Sequence, residues 1–115
     1  MRFKIILASV KPDISDKVVD AAKEAGATGA TIIPARGTGV HEAKTFFGLT
    51  LEAQTDIVMF LIEEHIATKI LGAIKEAGKF HKPGTGIAFV LPVEHVVGLD
   101  SQMEKFEKDV SENYF

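Results

Sequence analysis

Two apolar runs that refuse to alternate constrain this chain more than any other feature: Ile57-Val58-Met59-Phe60-Leu61-Ile62 and Ile87-Ala88-Phe89-Val90-Leu91. Successive side chains of a strand point to opposite faces, so a strand with one wet face reads apolar, polar, apolar. Neither run does. If both are strands, both faces of their sheet need cover.

The remaining elements follow from periodicity and punctuation. Phe3 to Val10 reads as a first strand, ended by Lys11-Pro12. Asp13 is the expected N-cap of a helix whose stripe is Ile14, Val18, Ala21, Ala22 and Ala25, with Gly26 at its C-terminal end. Thr28 to Ala35 is a second strand, and Gly37-Thr38-Gly39 opens a polar stretch running to about Leu51. The third strand spans Gln54 to Ile62. Glu63 and Glu64 then suit the positive end of a second helix with the stripe Ile66, Ile70, Ala73, Ile74 and Ala77, which stops at Gly78. His81 to Gly86 is a Pro/Gly loop, and Ile87 to Val93 is the fourth strand, with His95 to Val97 as an extension or a short further strand. Met103, Phe106, Val110 and Tyr114 recur at helical spacing in the tail.

The order β-α-β-β-α-β, with right-handed crossovers, predicts an α+β ferredoxin-like sandwich: a four-stranded antiparallel sheet with both helices on one face. The expected division is a domain over residues 1–100 and an amphipathic helical tail over 101–115. Two helices cover one sheet face only, and the tail is too short for all of the other. A second copy of the chain is the expected cover; the alternative is that the tail and the 37–51 stretch fold back over it.

Bulk properties remove several function classes. The 115 residues suit one domain, and 46% hydrophobic content supports a core. A net charge of -3 gives no general attraction to nucleic acid or anionic membrane. There is no cysteine, so disulfides, thiolate catalysis and cysteine-held zinc are excluded. No run approaches the roughly 20 apolar residues that span a bilayer. The apolar segment after Met1-Arg2 is short and lacks a cleavage pattern, so no signal peptide and a cytoplasmic location are expected.

Several short segments together resemble the PII signal-transduction family. They are Lys11-Pro12, Glu24-Ala25-Gly26-Ala27-Thr28-Gly29-Ala30-Thr31, Arg36-Gly37-Thr38-Gly39, and Gly84-Thr85-Gly86 before Ile87-Ala88-Phe89-Val90. The resemblance runs from about residue 3 to residue 99. It implies a homotrimer of ferredoxin-like subunits that binds adenine nucleotides in clefts between subunits. It also implies regulation of a partner, a membrane transporter or a metabolic enzyme, through a long T-loop. By position the T-loop is 37 to about 53, the B-loop 79 to 87 and the C-terminal segment 98 to 115. The ligand-binding residues implied are Thr31, Gly37, Thr38, Gly39, His41, Lys82, Gly84, Thr85 and Gly86, and the partner-binding loop carries Lys44, Phe46 and Phe47.

The chain departs from that family where charge matters. Its T-loop is shorter and has no tyrosine; Tyr114 is the only one. Ile87 stands at the B-loop lysine, Val40 at a basic position, His41 at a glutamine, and Gly98 and Asp100 at two arginines. Each charge-assisted phosphate contact contributes about 1.5–3 kcal/mol. Losing most of them weakens triphosphate binding, with Lys44, Lys79 and Lys82 as partial substitutes. The cofactor is left open: an adenine nucleotide is one candidate, but ATP bound in the family's usual way is not expected.

Each motif also has a plainer reading. Gly84-Thr85-Gly86 either cradles an anion through backbone N–H groups or is a tight turn into a strand. Gly37-Thr38-Gly39 either approaches a ligand or supplies loop freedom. His65 beside Glu63 and Glu64 is a metal pair or a solvated helix start. His41 and His81 of different chains could converge in a trimer; His81 and His95 are otherwise ordinary surface residues. Phe46-Phe47 anchors a partner or packs inward. The tail stripe is structural or gates the cleft. A CutA-like divalent-metal-binding trimer is the alternative function. An enzyme is not expected: acylphosphatases of this fold need a paired arginine and asparagine, and here Asn113, the sole asparagine, lies in the tail. An RNA-binding version would alternate aromatic and basic residues on a central strand, and Asp56 to Leu61 does not.

Overall fold

Dense Ile, Val and Phe content produces the strands, and proline and glycine end them. The structure, a computed structural model, describes residues 1–37, 44–46, 49–51, 53–100 and 103–114. The elements are β1 (Phe3–Val10), α1 (Ser15–Glu24), β2 (Thr31–Gly37), β3 (Lys44–Phe46), β4 (Leu49–Leu51), β5 (Ala53–Glu63), α2 (Ala67–Gly78), β6 (Gly86–Val93) and α3 (Met103–Tyr114). The main sheet has the antiparallel order β2-β5-β1-β6. This is the ferredoxin-like α+β arrangement with a helical tail.

Alternation sorts the two sheet faces. Ile6, Ala8 and Val10 of β1 and Val58, Phe60 and Ile62 of β5 are buried beneath Val18 and Ala22 of α1 and Ile70 and Ile74 of α2. The residues between them form the second face. Cross-strand register builds it in rows: Leu61–Ile5–Leu91, then Thr31–Met59–Leu7–Phe89, then Ile33–Ile57–Ser9–Ile87. Nine of these eleven side chains are apolar, Thr31 and Ser9 being the exceptions. At the sheet edges Ile33, Ile87, Phe89 and Leu91 are 45%, 61%, 44% and 43% exposed. Burying apolar area contributes roughly 25 cal/mol per Å², so a face of this composition carries a strong drive to be covered.

The chain covers one end of that face itself. Phe3 is in register with Glu63 and, by alternation, shares the second face with Ile5 and Leu7. The ring of Phe106 from α3 meets Phe3 edge-on, with centroids 5.0 Å apart. Phe106 is buried, while Glu104, Lys105, Glu107 and Lys108 are exposed.

Several boundaries differ from the sequence reading. Asp13 is not an N-cap, because Pro12 starts a short 3-10 turn at Pro12–Ile14 and α1 begins only at Ser15. β2 begins at Thr31 rather than Thr28. Glu63 ends β5 instead of opening a helix; a 3-10 turn over Glu64–Ile66 intervenes, and α2 starts at Ala67. No strand forms at 95–97. The 37–51 stretch contains a hairpin, β3 with β4, in the register Lys44↔Leu51, Thr45↔Thr50 and Phe46↔Leu49. Three-residue strands lie below the length at which alternation can be recognised.

Glycine placement at the end of α2 also has a different cause. The left-handed residue there is Lys79, at φ 54°, rather than Gly78. Gly78 is required by close approach: a Cβ there would stand 2.3 Å from the Phe80 ring. Gly86 approaches the same ring: a Cβ there would stand 2.7 Å from it and 2.8 Å from the Ser9 carbonyl oxygen. Both glycines thus make room for Phe80, which packs against the core at the start of the 79–86 loop. Gly86→Ala pushes against backbone that cannot yield, so a loss of about 1–3 kcal/mol is expected. A urea titration checks it; an unchanged midpoint would show that the space is not needed.

Candidate functional site

The candidate loops leave the same end of the sheet from opposite edges. The last complete row there is Pro34–Asp56–Val10–Gly86. Beyond it β2 and β5 run on to the pair Gly37↔Ala53, while β6 starts at Gly86. Strands lie about 4.8 Å apart, so the loop after β2 and the loop before β6 start roughly 14 Å from each other, with β5 and β1 between. One chain alone does not bring residues 37–53 and 79–86 together at their roots.

The loop before β6 is closed by its own backbone and one hydroxyl. Thr85 Oγ1 lies 2.9 Å from the carbonyl oxygens of both Lys79 and Lys82, and its proton is shared between them. The Lys82 N–H donates to the Lys79 carbonyl at 3.0 Å. Gly84 has φ 78°, which a side chain would strain. Thus Gly84, Thr85 and Gly86 each have a structural duty in this turn. The Thr85 oxygen keeps lone pairs for an incoming donor, and the Lys82 side chain is exposed beside it.

The other candidates scatter. Thr31 is exposed at the β2 edge of the second face, in the row with Met59, Leu7 and Phe89. Gly37 ends β2, and among the described residues a Cβ there would meet only Thr55 Cγ2, at an ordinary 3.9 Å. The described neighbours therefore do not demand glycine at 37. Lys44 and Phe46 lie on β3. Thr38, Gly39, His41 and Phe47 lie outside the described residues.

One polar pair was not anticipated. Thr55 Oγ1 donates to the Val10 carbonyl at 2.8 Å, which leaves Ser9 Oγ to donate to Thr55 Oγ1 at 3.0 Å. These half-buried hydroxyls sit at the loop end of an otherwise apolar face. The available signal was Ser9 itself, which interrupts the odd-numbered series Ile5, Leu7, Ser9.

Glu63, Glu64 and His65 are brought together, with ligand-type atoms within 4.8 Å of one another. The arrangement is neither a solvated helix start nor an open set of donors. Glu63 is fully buried; one carboxylate oxygen accepts the His65 backbone N–H at 2.8 Å and the other meets His65 Nδ1. His65 Nε2 lies 3.7 Å from Glu64 Oε1. Among the described residues no buried side-chain polar atom lacks a partner. His81 and His95 are both exposed.

A shallow cavity of about 450 Å³ lies at the opposite end of the sheet, lined by Arg2, Phe3, Lys4, Pro92, Val93, Glu94 and His95. None of the described candidate ligand residues lines it. No helix of the described residues is long and apolar enough to cross a membrane.

Comparison with known proteins bears on the same segments. A family model described as nitrogen regulatory protein P-II matches residues 3–102. The chain is 31% identical over 99 residues to a nitrogen regulatory protein P-II of Azospirillum brasilense, covering 82% of this chain and 88% of that one. It is 28% identical over 102 residues to the nitrogen fixation nifHD region GlnB-like protein 1 of Methanothermobacter marburgensis, covering 88% and 97%. Since the match spans the whole sandwich and both candidate loops, the chain belongs to the nitrogen regulatory protein P-II family.

Proposed function

We propose that this protein is a homotrimeric PII-like regulator, acting in the cytoplasm by binding and not by catalysis. A small ligand enters clefts between subunits, and the loop over residues 37–53 reports its presence to a partner transporter or enzyme. The observation that carries this reading is the second sheet face, apolar in nine of eleven positions and, among the described residues, covered by the chain itself only at its Phe3–Glu63 end. Sister chains are the cover best matched to it, because a closed symmetric assembly leaves no apolar edge open. The separation of the two candidate loops supports the same reading. With the roots apart in one chain, a cleft in which the loop of one subunit meets the loop of the next is the arrangement this reading favours.

In that assembly Thr31, Gly37, Thr38, Gly39, His41, Lys82, Gly84, Thr85 and Gly86 are the proposed ligand contacts. Lys44, Phe46 and Phe47 are the proposed partner contacts. A ligand moves the loop only by binding one loop state better than the other. Charge defines the ligand class. Ile87, 61% exposed at the start of β6, stands where family members carry a phosphate-binding lysine, and Asp100 adds a negative charge where they carry an arginine. A ligand with fewer charges than ATP is favoured, and an adenine nucleotide with a short phosphate chain fits that description.

Two measurements test the reading. Light scattering should give three chain masses, each 12.4 kDa. Phe89→Asp puts a charge into the middle of the proposed contact face and should drop the mass to one chain; a wild-type monomer, or a Phe89→Asp variant that stays trimeric, would overturn the assembly. Calorimetry against ATP, ADP, AMP, cyclic nucleotides, bicarbonate and divalent metals should show weak or no ATP binding. Ile87→Lys should tighten ATP by about 10- to 100-fold, the equivalent of one charged hydrogen bond. Tight ATP binding by the wild type would defeat the charge argument, and heat from divalent metals alone would favour the CutA-like alternative.

A further inference from the structure

We propose that the shallow cavity between the start of β1 and the end of β6 binds a small organic anion through Arg2 and Lys4. This site lies at the far end of the sheet from residues 37–53 and 79–86. It rests neither on the trimer nor on the ligand proposed above.

Lys4 is an unusual choice for its position. The other members of its even-numbered series on β1 are Ile6, Ala8 and Val10, all in the core. Its register partners are the fully buried Ile62 on one side and Pro92 on the other. Lys4 is itself half-buried. A cation among apolar neighbours is costly unless its head reaches water or an opposite charge. Among the described residues neither Lys4 nor Arg2 forms an ion pair. Arg2 comes two residues earlier, so it emerges on the same side. Its carbonyl oxygen accepts the Glu64 N–H at 2.9 Å, which fixes the backbone from which its side chain leaves. Two neighbouring cations repel each other, and an anion held between them removes that cost.

The cavity has the size and the walls for the rest of such a molecule. Its volume of about 450 Å³ falls within the roughly 300–1,000 Å³ of small-molecule sites. Phe3, Pro92 and Val93 give it apolar surface, and His95 adds a ring N–H. Among the described residues Glu94 is the one carboxylate in the lining. Two permanent cations against one carboxylate suit a headgroup of one or two charges, a carboxylate or a phosphate monoester, on a short apolar body. Another strand is a poor occupant. β6 is an edge strand, and Pro92 offers no N–H to a strand laid along it. The chain also bends at Glu94 instead of continuing that edge.

Amide NMR on the full-length protein tests the site, with sodium benzoate and phenyl phosphate as probes and sodium chloride at matched ionic strength as the blank. The probes should shift the amides of 2–4 and 93–95 saturably, and chloride should not. A response to one probe alone would keep the site and name its headgroup. Arg2→Gln and Lys4→Gln should each weaken binding about 10-fold or more, the loss of one charge-assisted contact. Lys17→Gln, which removes the same charge from an exposed position early in α1, should leave binding unchanged. Inorganic phosphate should bind more weakly than phenyl phosphate, because it leaves Phe3 and Pro92 uncovered; equal affinity would overturn the assignment to an organic anion. Shifts that do not saturate, that centre on 79–86, or that Lys17→Gln weakens as much as Arg2→Gln does would overturn the site itself.

Discussion

The burial of β5 and β1 on both faces governs this molecule. Val58, Phe60 and Ile62 meet the helices, while Ile57, Met59 and Leu61 point the other way and, among the described residues, find no helix over most of their length. An antiparallel sheet normally resolves this by making one face polar. Here the second face is apolar, broken by Thr31 at its edge and by the Ser9–Thr55 hydroxyl pair at its loop end. The fold is thus stable in its interior and incomplete at its surface. The proposed association with like chains would cover that face, and the proposed cleft between loops would form at its seams.

The same face explains how polar groups are managed. Ser9 donates to Thr55 and Thr55 donates to the Val10 carbonyl, so neither half-buried hydroxyl is left with an unmade bond. Glu63 does likewise with His65 at the other end. Both pairs sit where the apolar rows stop. The first lies near the proposed ligand loops, and the second lies under α3. In each case a polar side chain is tolerated in an apolar face because a neighbour in the sequence or across the sheet completes its hydrogen bonds.

Family membership and the local chemistry carry different information. The match over residues 3–102 concerns the sandwich and the positions of the loops. By the resemblance read from the sequence, Val40, Ile87, Gly98 and Asp100 stand where charges that hold a triphosphate are expected. The turn at 79–86 survives that loss because its shape rests on Phe80, Gly78, Gly86 and the Thr85 hydroxyl rather than on a ligand. A scaffold that holds its loop without phosphate is free to change what the loop recognises.

The sequence by itself determined the element order, the antiparallel sheet, the helix stripes and the need to cover a second face. All of these depend on periodicity over about six or more residues, which a linear chain displays directly. It also marked the loops at 37–51 and 79–87 through glycine, without revealing why the glycines are there. Only the tertiary structure decided that Gly78 and Gly86 make room for Phe80, that Glu63 is buried and paired with His65 rather than starting a helix, that 44–51 contains a hairpin, and that Phe106 closes on Phe3. Each of these is a contact between residues that are far apart in sequence, or too local and short to leave a period, so its cause exists only after the strands have come into register.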